Sequence, residues 1–101
     1  DGVDGVLASN DYLAAKVIKH LFQNGVDVPG DVAVIGYDNL EFAESLMPGL
    51  TSVSQETDAV AAATVDLLFR KINDGYRDRP HLRVDQKLIV RESCGCKSPI
   101  I

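Results

Sequence analysis

No apolar run in this 101-residue sequence approaches the roughly 20 residues needed to span a bilayer, and nothing at its start resembles a secretion signal, so the piece reads as soluble. Basic residues are few: 10 Lys and Arg against 15 Asp and Glu give a net charge of −5, and the basic ones are spread along the second half without forming a block. Such a pattern lacks the footprint of a nucleic-acid binder, so any DNA contact has to come from a segment outside this sequence. Cysteine is sparse as well. Cys94 and Cys96, in ESCGCKSPII, could supply two zinc ligands or a redox pair, but a structural zinc site wants four ligands, and they read as ordinary reduced thiols near a tail. His20 falls in an expected helix and His81 in a Pro-flanked loop, so no metal site and no cofactor is assigned. Also missing are a G-x-S-x-G elbow, a G-x-x-x-x-G-K-[ST] phosphate loop and a G-x-G-x-x-G turn, and no enzymatic activity is expected. Asp11 with Asp38 as a magnesium or phosphoryl-accepting pair would want a second acidic residue after the first strand and a basic one near the rim; neither is evident.

What is present is an alternation of short apolar runs and helical patterns. A content of 46% hydrophobic residues in this length supports one modest core, hence one compact unit without an internal boundary. The sequence opens on DGVDGVLASN without an initiator Met and enters a strand over 4–8 almost at once, as a piece cut from a longer chain does. Ser9-Asn10-Asp11 is a helix-start signature, and 12–24 carries Leu13, Val17 and Leu21, with Ile18 and Phe22 beside them, on one stripe. Gly25 stands where a helix end wants a left-handed residue. Val32 to Ile35, between Pro29-Gly30 and Gly36, reads as a strand buried on both faces. Next come a two-turn helix over 40–46, a strand over 50–54 and a long helix opening at Gln55-Glu56-Thr57 and ending at Asn73-Asp74-Gly75. A polar loop over 76–82 and an extended segment over 82–90, with 88–90 its most buried part, complete the order, and 91–101 should fray. The sum is an α/β fold, a doubly wound and mainly parallel sheet with helices on both faces.

Polar clusters stand at the expected carboxyl ends of three strands: Ser9-Asn10-Asp11, Tyr37-Asp38-Asn39 and Gln55-Glu56. In an open α/β sheet these ends share a rim where ligands bind, so Asn10, Asp38 and Gln55 are the candidate ligand-binding residues. Amides that donate and accept, beside a carboxylate that accepts two hydroxyl protons, suit a sugar, a nucleoside or another polyhydroxylated molecule. Each also has a structural role open to it. Asn10 or Asp11 is a ready helix cap, Asp38 a turn former, Gln55 with Glu56 a polar helix opening, and Tyr12 and Phe42 packing residues.

Several spaced motifs resemble one family. Ala8-Ser9-Asn10-Asp11 with Ala14 is similar to an A-N-D-x-x-A helix start, 25–38 to G-x-x-V-P-x-D-V-x-V-x-G-[FY]-D, 48–55 to P-x-L-T-[ST]-[VI]-x-Q, and 88–93 to [LV]-[VI]-x-R-x-S. Together they resemble the C-terminal half of the effector-binding, periplasmic-binding-protein-like domain of LacI/GalR-type transcriptional regulators. Ser9 before Asn-Asp is a departure at a variable position. The resemblance implies a cytoplasmic sensor with a cleft between two lobes, a sugar-like or nucleobase-like effector contacted by Asn10, Asp38 and residues around Gln55, and a homodimer whose surface includes Ala15 and Leu46. Operator DNA would be bound by an N-terminal helix-turn-helix absent from this sequence, and 94–101 would be a tail on a domain part covering 1–93. The R-E-S-C-G-C ending also resembles the same sensor fused to other signalling outputs, and a transport binding protein shares the fold.

Overall fold

Ala33–Tyr37, here β2, is the strand on which the sheet is built in the computed structural model, which describes residues 2, 4–74 and 81–96. It pairs in parallel with β1 (Gly5–Leu7) on one side and β3 (Thr51–Ser54) on the other, and β4 (Lys87–Ile89) completes the order β1-β2-β3-β4. Helix α1 (Asp11–Gln23) joins β1 to β2, a 3₁₀ helix over Glu41–Ser45 lies between β2 and β3, and α2 (Thr57–Asp74) comes after β3. This is the open, mainly parallel α/β sheet that the sequence pattern predicts. The chain divides into two compact units where one is expected: Asp1–Ser54 with Leu88–Ile101, and Gln55–Lys87.

The first unit holds the core, made by Ala8, Ala14, Ile18, Val34, Ala43 and Leu50. Burial along β2 alternates, with Val34 and Gly36 buried and Ala33, Ile35 and Tyr37 half-buried, so the strand is less enclosed than its apolar run suggests. In α1 the buried stripe is Asp11, Ala14 and Ile18, with Val17 and Leu21 packed beside it. That stripe is turned by one residue, about 100°, from the expected one. Leu13 (45% exposed) and Phe22 (80% exposed) therefore face outward. Ala14 is small enough to let the helix axis approach the sheet, which a larger residue at the contact would prevent. Gly25, at φ +73, ends the helix as predicted.

Arg91 to Ser93 is held by hydrogen bonds, against the expectation of fraying from Arg91 onward. Ser93 is fully buried; its Oγ accepts from Thr51 N and donates to Val34 O. Val34 N donates to Ser93 O, and Glu92 and Ser93 N both donate to Gly49 O. By contrast, Leu88 in β4 is 40% exposed and Ile89 and the following Val90 are only half-buried, so the buried anchor of this segment is Ser93. The rest of the expected tail, 97–101, lies outside the described residues, as do 76–80 of the expected loop and Gly75.

Within the second unit α2 runs from Thr57 to Asp74 with no buried residue, and Val60, Val65, Leu68, Phe69 and Ile72 are exposed. Arg70 and Asp66 pair across one turn at 3.3 Å, and Lys87 pairs with Glu56 at 3.2 Å. No helix among the described residues is long and apolar enough to cross a membrane.

Candidate functional site

The carboxyl ends of β1 and β2 carry the polar clusters Asn10-Asp11 and Asp38-Asn39. Asn10 has extended backbone (φ −159, ψ 171) and its Oδ1 accepts from Leu13 N at 2.9 Å, so it is the N-cap of α1. The cap uses only the amide oxygen; the amide nitrogen brings two further donors to this edge. Asp11 does not cap. It is fully buried, its Oδ1 accepting from Ser52 Oγ at 2.6 Å and its Oδ2 from Leu40 N at 2.7 Å. Both bonds are shielded from bulk solvent by the burial of Asp11, which strengthens them. The helix end can come this close because residue 36 is glycine: a Cβ there would run into Asp11 Oδ1 and Leu50 Cδ2.

Asp11 thereby ties α1 to the turn after β2, where Asp38 (φ 105) and Asn39 (φ 52) both take positive φ. Asp and Asn tolerate that conformation best among residues with a side chain, at a cost of roughly 1–2 kcal/mol each. The surroundings hold the turn at every residue. Asp38 N donates to Val53 O and Asn39 N to Ser52 Oγ, each at 2.9 Å, while Leu40 N is bound by Asp11. Arg91 reaches in from the closing segment, Nη2 donating to Asn39 Oδ1 at 2.8 Å and Nη1 to Leu50 O at 2.7 Å. Ser52 Oγ accepts from Asn39 N and donates to Asp11, which commits its only proton. Among the described residues no buried side-chain nitrogen or oxygen lacks a partner.

This network presents Asp38, half-buried, at the tip of β2. The register pairs Leu7 with Ile35, and Asn10 and Asp38 each lie three residues beyond their member of that pair, on the same edge of adjacent parallel strands. Gln55 directly succeeds β3 as the first residue of the second unit and is half-buried. Ala15 and Leu46 line an apolar groove of about 540 Å³, together with Ile18, Phe22, Val28 and Met47. Phe22 is 80% and Met47 92% exposed there. Tyr12 and Phe42 stack on each other, ring centroids 5.2 Å apart and tilted by 44°. No group of three or more His, Cys, Asp or Glu among the described residues is placed to hold a metal ion.

Sequence reasoning does not single out Asp11, Ser52 and Arg91 as the frame of this edge. A signal for two of them exists, since Asp11 stands in the A-N-D stretch and Arg91 in the closing [LV]-[VI]-x-R-x-S.

Comparison with known proteins places this open parallel sheet in a family. The chain belongs to the periplasmic binding protein-like domain family, whose model matches residues 2–94. Within it the chain is a part of the effector-binding domain of the LacI type. It is 34% identical over 88 residues to the HTH-type transcriptional repressor PurR of Vibrio parahaemolyticus serotype O3:K6, covering 87% of this chain and 26% of that protein. It thus spans about a quarter of that relative's length. Among solved structures it is similar to a LacI-family regulator described as putative from Sanguibacter keddieii (TM-score 0.85, 37% identity, 94% of this chain and 38% of that one). It is also similar to the transcriptional regulator CelR in complex with cellobiose (TM-score 0.83, 36% identity, 90% and 28%).

Proposed function

We propose that this chain is the effector-sensing and dimerising part of a LacI-type transcriptional regulator, and that Asp38 and Asn10 hold a small sugar-like or nucleobase-like effector at the carboxyl edge of β1 and β2. The observation that carries the reading is the Asp38 turn: two consecutive positive-φ residues held by Asp11, Ser52, Val53 and Arg91. A carboxylate on a rigid frame accepts hydroxyl protons without first losing conformational freedom, which favours a polyhydroxylated ligand. The cellobiose complex of a similar regulator supports a ligand of that class. Gln55, the residue after β3, is kept as a third ligand-binding residue on the strand-end pattern of the sequence and the family resemblance.

Dimerisation is assigned to the groove that includes Ala15 and Leu46. Exposed Phe22 and Met47 give that face the apolar character of an interface. Effector binding biases the equilibrium between two arrangements of the dimer, and these differ in how well an N-terminal helix-turn-helix outside this sequence sits on operator DNA.

The test is calorimetric titration of the full-length regulator and its Asp38→Ala variant with a panel of sugars and purines. Loss of charge-assisted hydrogen bonds weakens effector binding by about 1–3 kcal/mol while operator affinity without effector is kept. Equal effector affinity in the two proteins would remove Asp38 from the site.

A further inference from the structure

The Cys94-Gly95-Cys96 segment takes no part in the function proposed above. Gly95 adopts φ +80, and its N–H donates to Glu92 O at 3.1 Å, closing a turn over 92–95. Both thiols are free and half-buried. Two residues of chain span at most about 7 Å, so the Cα atoms of 94 and 96 stand near the roughly 4.4–6.8 Å that a disulfide bridges. The turn itself is anchored, because Ser93 just before it is buried against Val34 and Thr51.

The sulfur environments of the two thiols differ. Cys94 Sγ accepts from Thr51 Oγ1 at 3.1 Å, and Thr51 is fully buried. Thr51 Oγ1 in turn accepts from Arg91 N at 2.8 Å, which leaves its proton directed at the sulfur. Burial raises the Cys94 thiol, but the hydrogen bonds from Thr51 and from Cys96 outweigh it and hold Cys94 below the ordinary thiol value. Cys96 is raised, first by its hydrogen bond to Cys94 and then by burial and the neighbouring charge. Thr51 thus aims a proton at the Cys94 sulfur, and of the two thiols Cys94 is the one whose deprotonated form is favoured.

We infer that Cys94 and Cys96 form a site of reversible oxidation by hydroperoxides, with Cys94 the reacting sulfur and Cys96 the resolving one. The Cys94 thiolate attacks the terminal oxygen of the hydroperoxide; the O–O bond breaks, an S–O bond forms, and the departing alkoxide or hydroxide takes a proton from solvent. Cys94 is now a sulfenic acid, oxidised by two electrons, and the peroxide is reduced to an alcohol or water. The Cys96 sulfur then attacks Cys94 Sγ, the S–O bond breaks, and water leaves with the Cys96 proton. Two thiols and one hydroperoxide give one disulfide, one alcohol (or, from hydrogen peroxide, a second water) and one water; a dithiol reductant reverses the change.

The experiment treats the full-length protein with stoichiometric hydrogen peroxide and reads it by intact mass and peptide mapping. The expected result is loss of two hydrogen masses, a link between Cys94 and Cys96 within one chain, and recovery with dithiothreitol. In Cys96→Ser, dimedone traps a sulfenic acid at Cys94; in Cys94→Ser, Cys96 is trapped several-fold more slowly. Iodoacetamide labelling against pH adds a readout that needs no variant, since the Cys94 midpoint falls below that of Cys96. Two free thiols after treatment, dimedone on Cys96 in preference to Cys94, or a disulfide between copies would each overturn the proposal. None of these outcomes depends on effector binding.

Discussion

Replacing Asp11 by Asn removes a charge and keeps the shape, so the size of the loss is set by the two hydrogen bonds the carboxylate makes. It accepts from Ser52 Oγ at 2.6 Å and from Leu40 N at 2.7 Å. An amide has only one oxygen to offer. With that oxygen toward Leu40, the amide nitrogen can donate to the second lone pair of Ser52 Oγ beside Asn39 N, but the serine proton loses its buried acceptor. With the amide reversed, its N–H₂ meets the Leu40 N–H directly. One bond is lost in either case and the other falls from charge-assisted to neutral strength, a cost of about 2–3 kcal/mol. Because the damage is local, amide hydrogen exchange is the assay: protection of Leu40 N–H drops about 30- to 150-fold, while Val34 N–H, bound to Ser93 O, serves as reference. A double-mutant cycle with Ser52→Ala gives a coupling of about 1 kcal/mol or more, as two residues sharing a buried bond should. Leu40 protection within about threefold of the parent in a folded Asn variant would show that the carboxylate is not what holds the turn.

Gly36→Ala places a methyl group against Asp11 and Leu50 and lowers stability by about 1–3 kcal/mol, read as a lower urea midpoint; an unchanged midpoint would mean that α1 moves away freely. Arg91→Ala strips hydrogen bonds from Asn39 Oδ1 and Leu50 O and costs about 1–3 kcal/mol by the same assay, with Arg91→Lys unable to restore both bonds; full stability in the lysine variant would refute the fork geometry. Phe22→Asp puts a carboxylate on an 80% exposed position in the apolar groove. It lowers the mass of the full-length regulator by light scattering from dimer to monomer with circular dichroism unchanged, whereas a retained dimer mass would remove the groove as the interface.

Features set by a few neighbouring residues are legible without coordinates. The apolar run before Gly36 is a strand, Gly25 takes the left-handed conformation at the end of α1, and the polar residues after β1 and β2 do stand on one edge. All three depend on chain geometry and side-chain period alone, so the α/β class and the location of the candidate site are legible as well. The choice between Asn10 and Asp11 as helix cap is not, because both suit the position. It is decided by Ser52 and Leu40, 41 and 29 residues further on, which claim Asp11 and leave the cap to Asn10. The buried face of α1 differs by one residue from the periodic pattern for a related reason: the sheet selects the side that lets Asp11 and small Ala14 pack closely, and the pattern of large apolar residues favours a neighbouring side.

The sequence by itself determined which segments become strands and helices, the parallel sheet and the polar rim, since each depends on φ/ψ preference and periodicity over a handful of residues. Tertiary structure decided which of those polar residues are committed to the frame of the edge. Asp11, Ser52 and Arg91 spend their hydrogen-bonding groups on one another's segments, and a buried polar atom has to find its partner wherever the fold brings one. It also decided that Arg91 to Ser93 is an anchored closing segment, because its partners at Asn39, Gly49 and Val34 are distant in sequence and adjacent only once the sheet has formed.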